Sequence, residues 1–215
     1  MRCLLTLFMI FFAVVPSRQV TAASTDCAYD PARTHLSRII AVDSTNGPVY
    51  GQLVHAAEKP QMRTLALLDH EIVLTFDDGP LAATTNIILD TLDRHCVKAT
   101  FFPVGGMALL GSKTLREIAQ RGHTIGSHTW SHPLSIHSMQ FERIRAEIEM
   151  GFAAVSQAAG EPIAPFFRFP GLGDSPEAAA YLASRNISIW SVDVVAGDAE
   201  RGATPARITR SQLAP

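Results

Sequence analysis

The stretch EIVLTFDDGPLAATTNIILDTLDRH, residues 71–95, joins a short apolar run to an amphipathic segment through a Gly-Pro turn. The run at 71–76 predicts a buried strand, and the segment at 84–95 predicts a helix. The apolar residues of that helix recur at helical spacing: Ile87, Ile88 and Leu92. Two adjacent carboxylates, Asp77 and Asp78, therefore stand at the point where a strand ends and the chain turns.

The rest of the chain repeats this alternation of strand and helix. Strands are predicted at 98–105, 123–128, 164–169 and 187–194. Helices are predicted at 113–122, 139–160, 175–186 (N-capped by Ser175) and from 204 onwards. Strands that are apolar on both faces and alternate with helices indicate a parallel α/β architecture, in which chemistry gathers at the carboxyl ends of the strands.

The chain has 215 residues, 47% of them hydrophobic and 18% charged, as expected for one globular domain. Residues 1–23 contain Arg2 and an apolar run of the length of a secretory signal peptide, with small residues that favour cleavage near Ala22 or Ala23. We therefore expect an exported protein, periplasmic or secreted; an uncleaved anchor is the alternative. Residues 24–64 form a lead-in with a hairpin signal at Asn46-Gly47, and 65–215 form the main domain.

The charge of the chain bears on its binding partners, and its cysteines bear on a possible disulfide. Removal of residues 1–23 leaves 16 basic and 20 acidic residues, a formal charge of −4, without a basic stripe. We therefore expect no nucleic-acid partner. Export would permit a disulfide between Cys27 and Cys96, but two separate thiols fit the sequence as well. The oligomeric state is left open.

Three predicted strands end in ionisable residues. Asp77 and Asp78 follow the first, His128 and His132 follow the third, and Arg168 lies in the fourth. Histidines four residues apart face the same way in a helical or turn conformation. Two histidines with a carboxylate are a common ligand set for a catalytic divalent metal. A non-haem iron triad is less compatible, because its carboxylate usually stands two residues after the first histidine, where this chain has a tryptophan.

Together, TFDDGP (75–80), SHTWSH (127–132) and RFPG (168–171) resemble the first three motifs of the NodB-homology polysaccharide deacetylases, carbohydrate esterase family four. The resemblance implies an α/β fold, specifically a distorted (β/α) barrel. It also implies metal-dependent hydrolysis of N-acetyl groups on an amino-sugar polymer: peptidoglycan, a chitin-like polymer or poly-N-acetylglucosamine. The partner would be an acetylated polysaccharide or oligosaccharide.

The resemblance also implies roles for individual residues. One divalent metal, zinc with cobalt as the second choice, would be bound by three ligands: Asp78, His128 and His132. Asp77 would be the general base, with Arg168 beside it to orient it and favour its charged form. The backbone N–H of Gly171 would stabilise the oxyanion.

Two later motifs of the family match less well. Asp198, or less well Asp193, fits the acidic motif, but Ala199 stands where an aromatic residue is usual. The general-acid histidine of the last motif is absent from the sequence. This absence predicts a domain that lacks its last strand. A fragmentary or frameshifted reading frame would account for it. The alternatives are a catalytically inactive glycan-binding relative and an O-acetyl esterase of the xylan type.

Overall fold

The computed structural model describes residues 42–43, 47–48, 72–173 and 175–208. All of these residues belong to one compact unit, Thr34–Pro215. The predicted signal peptide, Cys27 and most of the lead-in lie outside the described residues. Within them, no helix combines the length and the apolar character needed to cross a lipid bilayer.

The lead-in contains a short antiparallel pair, β1 (Val42–Asp43) and β2 (Gly47–Pro48). Val42 pairs with Pro48 and Asp43 with Gly47. The two strands lie on either side of the predicted turn, with Gly47 in the second strand, and residues 44–46 of that turn lie outside the described residues.

The main sheet consists of five short parallel strands in chain order. They are β3 (Thr75–Asp78), β4 (Thr100–Pro103), β5 (Thr124–Ile125), β6 (Phe166–Phe167) and β7 (Ser188–Ile189). β3, β4 and β5 pair in parallel, as do β6 and β7, and a bridge between Ser127 and Phe167 joins the two groups. The parallel α/β architecture is thus confirmed, with strands shorter than predicted. β3 begins at Thr75 instead of residue 71, and both aspartates lie within it.

Five helices connect or flank these strands. They are α1 (Ala82–Arg94), α2 (Gly105–Leu110), α3 (Ser112–Gln120), α4 (Phe141–Ala159) and α5 (Pro176–Ser184). Residues 205–208 are also helical. The Ser175 hydroxyl accepts a hydrogen bond from the Ala178 N–H at 3.3 Å, which confirms the predicted N-cap of α5.

Two helical predictions need correction. Ile87 was expected on the apolar face of α1 together with Ile88 and Leu92, but it is 66% exposed. Leu92 is buried as expected, and Thr85 and Leu89 are the other buried residues of the helix. The buried residues four and three positions apart define a face turned away from Ile87. Gly105 was predicted to end the strand at 98–105, but it is the first residue of α2. The N–H groups of Gly105 and Gly106, which have no acceptor within the helix, donate to carbonyl groups of a distant loop.

The core has two clusters, one packed against the carboxyl-terminal half of α4 and the other against its amino-terminal half. The first lies among β4, β5, α1, α3 and α4: Leu89, Leu92, Ala99, Phe101, Ala108, Leu115, Ile118, Ile125, Val155, Ala158 and Ala159. The second lies among α4, β6, α5 and the segments beside them: Ile136, Ile144, Ile148, Phe167, Phe169, Ala178 and Leu182. α4 therefore packs against both clusters.

Cys96, after α1, is disulfide-bonded, and its predicted partner lies outside the described residues.

Candidate active site

The two aspartates lie at the carboxyl end of β3, where Asp77 pairs with Phe102 and Asp78 with Pro103 of β4. Asp78 has φ +72°, in the left-handed region, which aspartate tolerates better than most residues. This conformation interrupts the alternation of side chains along the strand. As a result, the neighbouring carboxylates can serve one site although a regular strand would point them to opposite faces.

The predicted histidines lie in an irregular segment, residues 127–132, called the histidine loop below. His128 and His132 are not on a helix. Instead, Thr129 and His132 adopt left-handed conformations, with φ of +69° and +59°. These backbone reversals bring the two imidazole rings to 4.9 Å between centroids. The expected convergence of the rings is therefore found, but it is produced by a loop with two left-handed residues.

Asp78, His128 and His132 meet in one cluster, with one possible ligand atom from each lying within 4.8 Å of the others. Asp78 Oδ1 lies 3.1 Å from His132 Nε2 and 3.5 Å from His128 Nε2. Two ligands bound at about 2.1 Å to tetrahedral zinc lie about 3.4 Å apart. The donor types and both of these separations therefore fit a zinc-like ion.

His128 is 2% exposed, and its Nδ1 lies 2.7 Å from the backbone carbonyl oxygen of Arg168. Because a carbonyl can only accept, Nδ1 carries the proton and Nε2 keeps a free lone pair directed towards Asp78. Burial lowers the pKa of His128 below its usual value, opposed by the charge of Asp77. The neutral tautomer that a metal ligand requires is thus favoured by the protein itself.

The carboxylate of Asp77 lies between Arg168 and the cluster of Asp78, His128 and His132, called the metal-type cluster below. Arg168 Nη1 donates to Asp77 Oδ1 at 2.7 Å, which holds one oxygen of the carboxylate. The other oxygen, Oδ2, lies 4.0 Å from His128 Nε2. About a third of the Asp77 side chain is solvent-exposed, so Oδ2 is available to a water molecule.

Arg168 is 2% exposed and connects β3 with the segment that directly follows β7. It donates to Thr75 Oγ1 at 2.8 Å, beside Asp77, and on the other side to the carbonyl oxygens of Ser191 at 2.9 Å and Trp190 at 3.4 Å. Its guanidinium also lies 4.5 Å from the centroid of the Phe102 ring. These contacts exclude the simpler interpretation of Arg168 as half of a surface ion pair.

The histidine loop is held by groups that the sequence did not mark as functional. The N–H groups of Gly105 and Gly106 in α2 donate to the carbonyls of Thr129 and Trp130 at 2.9 and 3.0 Å. A Cβ added at Gly105 would lie 2.9 Å from a ring atom of Trp130. Trp130 therefore packs against α2, which favours a structural role over a sugar platform. The carboxylate of Glu147, from α4, accepts hydrogen bonds from the other side of the loop.

The remaining predicted site residues are less constrained. Gly171 lies in a 3-10 turn, Pro170–Leu172, with φ +58°, and it is exposed. Its N–H makes no hydrogen bond to another residue that the structure describes. Asp198 and Asp193 are both exposed, and neither forms a hydrogen bond with a described site residue. The structure therefore does not bring Asp198 into contact with Asp77 or Arg168.

Two other histidines occupy different surroundings. His123 Nδ1 accepts a hydrogen bond from the Ala99 N–H at 3.2 Å, at the amino end of β4, opposite the end that carries the aspartates. His137 is exposed in a 3-10 turn, close to Gly173. Neither joins the metal-type cluster, which contains no histidine beyond His128 and His132 among the described residues.

Comparison with known families gives the same assignment as the motifs. Residues 66–189, more than half of the chain, match the family model for polysaccharide deacetylase. The chain belongs to the polysaccharide deacetylase family. The matched region runs from just before β3 through β7 and contains the paired aspartates, both loop histidines and Arg168.

Curated relatives include enzymes named for two related substrates. A peptidoglycan-N-acetylglucosamine deacetylase of Bacillus cereus is 39% identical over 128 residues, covering 58% of this chain and 46% of that protein. A chitooligosaccharide deacetylase of Rhizobium leguminosarum is 40% identical over 90 residues, covering 42% of this chain and 41% of that protein. PgdA, a peptidoglycan deacetylase of Listeria monocytogenes, is 33% identical over 122 residues, which are 57% of this chain and 25% of that protein. The chain thus spans less than half of the length of these relatives.

Solved structures confirm the fold. A peptidoglycan N-acetylglucosamine deacetylase crystallised with 4-naphthalen-1-yl-N-oxidanyl-benzamide is 33% identical, with a TM-score of 0.62 over 66% of this chain and 64% of that one. Peptidoglycan deacetylase PdaC of Bacillus subtilis is 28% identical, with a TM-score of 0.61 over 66% of this chain and 69% of that one. The predicted distorted (β/α) barrel of the NodB-homology type is therefore confirmed. The absence of its last strand stays a prediction.

Proposed function

We propose that this chain is an exported, metal-dependent N-deacetylase of an amino-sugar polymer, with the reaction carried out at the carboxyl end of β3. The observation that carries the proposal is the arrangement of Asp77. One of its oxygens is held by Arg168, and the other faces the cluster of Asp78, His128 and His132. A base beside a ligand set, but not part of it, is what metal-assisted hydrolysis of an amide requires.

The donor set supports one divalent ion, zinc first and cobalt second. Two neutral imidazoles and one carboxylate suit zinc, and three protein ligands leave a position for water or substrate. An ion held by Asp78, His128 and His132 would supply polarisation of the acetyl carbonyl and a lowered pKa of water, towards about 7. The protein's own contribution is the fixed tautomer of His128, set by the Arg168 carbonyl.

Proton transfer falls to Asp77. Its Oδ2 accepts the proton of the attacking water, while the hydrogen bond from Arg168 to Oδ1 keeps the carboxylate from rotating away. The backbone N–H of Gly171 supplies a donor for the developing oxyanion. Glycine at this position provides the donor without a side chain, so the neighbouring part of the substrate cleft is left open.

The substrate class is proposed from the chemistry and from the relatives. Enzymes named for peptidoglycan and for chitooligosaccharides share the same glycan unit, an N-acetylated glucosamine. We therefore assign an N-acetylglucosamine-containing polymer, in the periplasm or outside the cell. The apolar segment in residues 1–23 supports export.

The proposal includes slow turnover for residues 1–215 acting alone. No histidine in this sequence fits the general-acid position, and Asp198, the residue proposed for the acidic motif, has no contact with Arg168. General acid catalysis typically contributes about 10²–10⁴-fold to the rate. We expect turnover to fall short of a complete family member by a factor in that range.

The test is acetate release from N-acetylglucosamine oligomers by the zinc- or cobalt-loaded protein, compared with Asp77→Asn. The variant keeps the shape and an oxygen that accepts from Arg168, but it cannot take a proton. We expect a rate at least 100-fold lower with unchanged metal binding. No acetate release from the folded, metal-loaded wild type would instead support a glycan-binding protein, and release only from O-acetylated xylan oligomers would support an esterase.

A further inference from the structure

We propose that Glu147, in the middle of α4, is a positioning residue for the metal centre. Its carboxylate holds the histidine loop in the conformation that makes His128 and His132 converge. The proposal rests on the metal-dependent function proposed above, because it concerns ligands of that ion. Glu147 lies in none of the motif stretches that carry the family resemblance.

Among the residues that the structure describes, the hydrogen-bond donors to Glu147 all come from the part of the loop between the two histidines. Oε2 accepts from the N–H groups of Trp130 and Ser131, at 3.1 and 2.8 Å. Oε1 accepts from the Ser131 hydroxyl at 2.7 Å. Hydrogen bonds to a charged acceptor are stronger than neutral ones, and here three converge on one carboxylate. The backbone N–H groups of Trp130 and Ser131, two of the three residues between the ligands, are thereby satisfied.

The loop needs such support because its backbone is strained. Thr129 and His132 both have positive φ. Each non-glycine residue in this left-handed region costs about 1–3 kcal/mol and persists only where its surroundings hold it there. These residues are adjacent to the segment that Glu147 holds. Without the carboxylate, the peptide units of residues 129–131 would be held only through their carbonyls, and relaxation of either reversal would move His132 away from Asp78.

α2 and α4 hold opposite groups of the loop backbone. α2 donates N–H groups to the carbonyls of Thr129 and Trp130, whereas Glu147 accepts from the amides of Trp130 and Ser131. The peptide segment between the ligands is therefore fixed from two helices. Loss of α4's part leaves the carbonyl contacts in place, so the expected effect is a displaced loop and not an unfolded one.

The placement of Glu147 follows from a close approach of α4 to the loop. Gly151 stands four residues later, on the same face of the helix. A Cβ at Gly151 would lie 2.7 Å from the Thr129 carbonyl carbon and 2.9 Å from its oxygen. The absence of a side chain at Gly151 sets the distance between helix and loop, and at that distance a glutamate one turn earlier reaches the loop amides.

The test compares Glu147→Ala and Glu147→Gln in the full chain with Glu149→Gln as the matched control. Glu149 lies on the same helix, but its carboxylate contacts Tyr181 and Arg185 instead of the loop. Zinc affinity is measured by competition with a chromophoric chelator, and ligand geometry by the visible spectrum of bound cobalt. Partners that orient metal ligands typically contribute about 10–100-fold to affinity. We expect a loss in that range for Glu147→Ala with an altered cobalt spectrum, a smaller loss for Glu147→Gln, and less than twofold for Glu149→Gln.

The outcomes separate this proposal from the proposed function. Zinc binding by Glu147→Ala with wild-type affinity and spectrum would overturn the role of Glu147 while leaving the metal site intact. Failure of the wild-type protein to bind zinc would overturn both. If Glu147→Ala does not fold, Glu147→Gln becomes the deciding variant. Its amide oxygen can still accept from the loop N–H groups, so this variant should fold, but it lacks the negative charge of the carboxylate. Equal affinities of Glu147→Gln and Glu149→Gln would then refute the proposal.

Discussion

Replacement of Arg168 by lysine should destabilise the protein although it keeps the positive charge. The guanidinium bonds to two groups of acceptors on opposite sides: the side chains of Thr75 and Asp77, and the carbonyls of Trp190 and Ser191. A single ammonium group can reach one side but not both. It also loses the stacking of a planar cation on the ring of Phe102.

The magnitude follows from the contacts that lysine cannot make. If Nζ takes the place of Nη1 beside Asp77, the two carbonyls lose their donor, and hydrogen bonds to charged groups contribute about 1.5–3 kcal/mol each. The contact to Trp190 is long at 3.4 Å, so we count it at the lower end or below. We therefore expect Arg168→Lys to lower the free energy of unfolding by about 3 kcal/mol, a large part of the roughly 5–15 kcal/mol typical of a folded domain.

The assay is urea unfolding of Arg168→Lys, followed by far-ultraviolet circular dichroism and by tryptophan fluorescence. The slope with denaturant should stay the same, so the change appears in the midpoint. Arg185→Lys is the control. That arginine pairs with Glu149 on an exposed helix surface, and its replacement should change stability by less than about 0.5 kcal/mol. A loss below 1 kcal/mol for Arg168→Lys would refute the view that the guanidinium connects the two sides of the site.

Three further predictions concern acid stability, the histidine loop and the metal. Burial, reinforced by the charge of Lys98, lowers the pKa of His123 from 6.5 to about 4, so the native state binds fewer protons than the unfolded chain between these values. The contribution of neutral His123 to the free energy of unfolding is therefore complete above pH 6.5 and is lost as the pH falls to 4, by about 3 kcal/mol in all. His123→Asn should flatten this pH dependence of stability, and an unchanged slope would contradict the prediction. Gly151→Ala should destabilise the protein by about 1–3 kcal/mol and weaken zinc binding, because the new Cβ clashes with the Thr129 carbonyl. Gly106→Ala is the control, since a Cβ there would lie 3.5 Å from its nearest neighbour and should have neither effect. Equal denaturation midpoints for the two variants would argue against the close approach of α4 to the loop. Zinc at 100 times its dissociation constant should stabilise the wild type by about 2.7 kcal/mol, reversibly with a chelator, and His132→Ala should abolish this gain in a thermal melt; a wild-type melt indifferent to the chelator would contradict the ligand assignment.

The convergence of the site was predictable because it depends on topology. Once the strands are taken as parallel and in chain order, their carboxyl ends lie at one edge, and Asp77, Asp78, His128 and Arg168 follow them there. The motif spacing then identifies which side chains meet. The structure agrees with this argument even where the strand bounds differ, because the order and direction of the strands carry it.

The supporting contacts were not predictable for a physical reason. The acceptors of Arg168 at Trp190 and Ser191 are backbone carbonyls, which every residue has and which leave no mark in the sequence. Glu147 resembles any other polar residue on an amphipathic helix until the loop is seen against it. Gly105 was expected to end a strand; its helical conformation depends on a hydrogen bond to Thr129, which only the tertiary structure reveals.

We expect the contacts of Arg168 to set when during folding Asp77, the proposed general base, becomes ordered. Its side-chain bonds reach back 93 and 91 residues to Thr75 and Asp77, and forward 23 residues to Ser191. Contacts of such long sequence separation form late, since large loops must close first. A partly folded chain with β3 and β4 in place but without β7 carries both aspartates and has no arginine held between the outer strands. We therefore expect Asp77 to be oriented when the fold is complete, and not when the local motif that contains it forms.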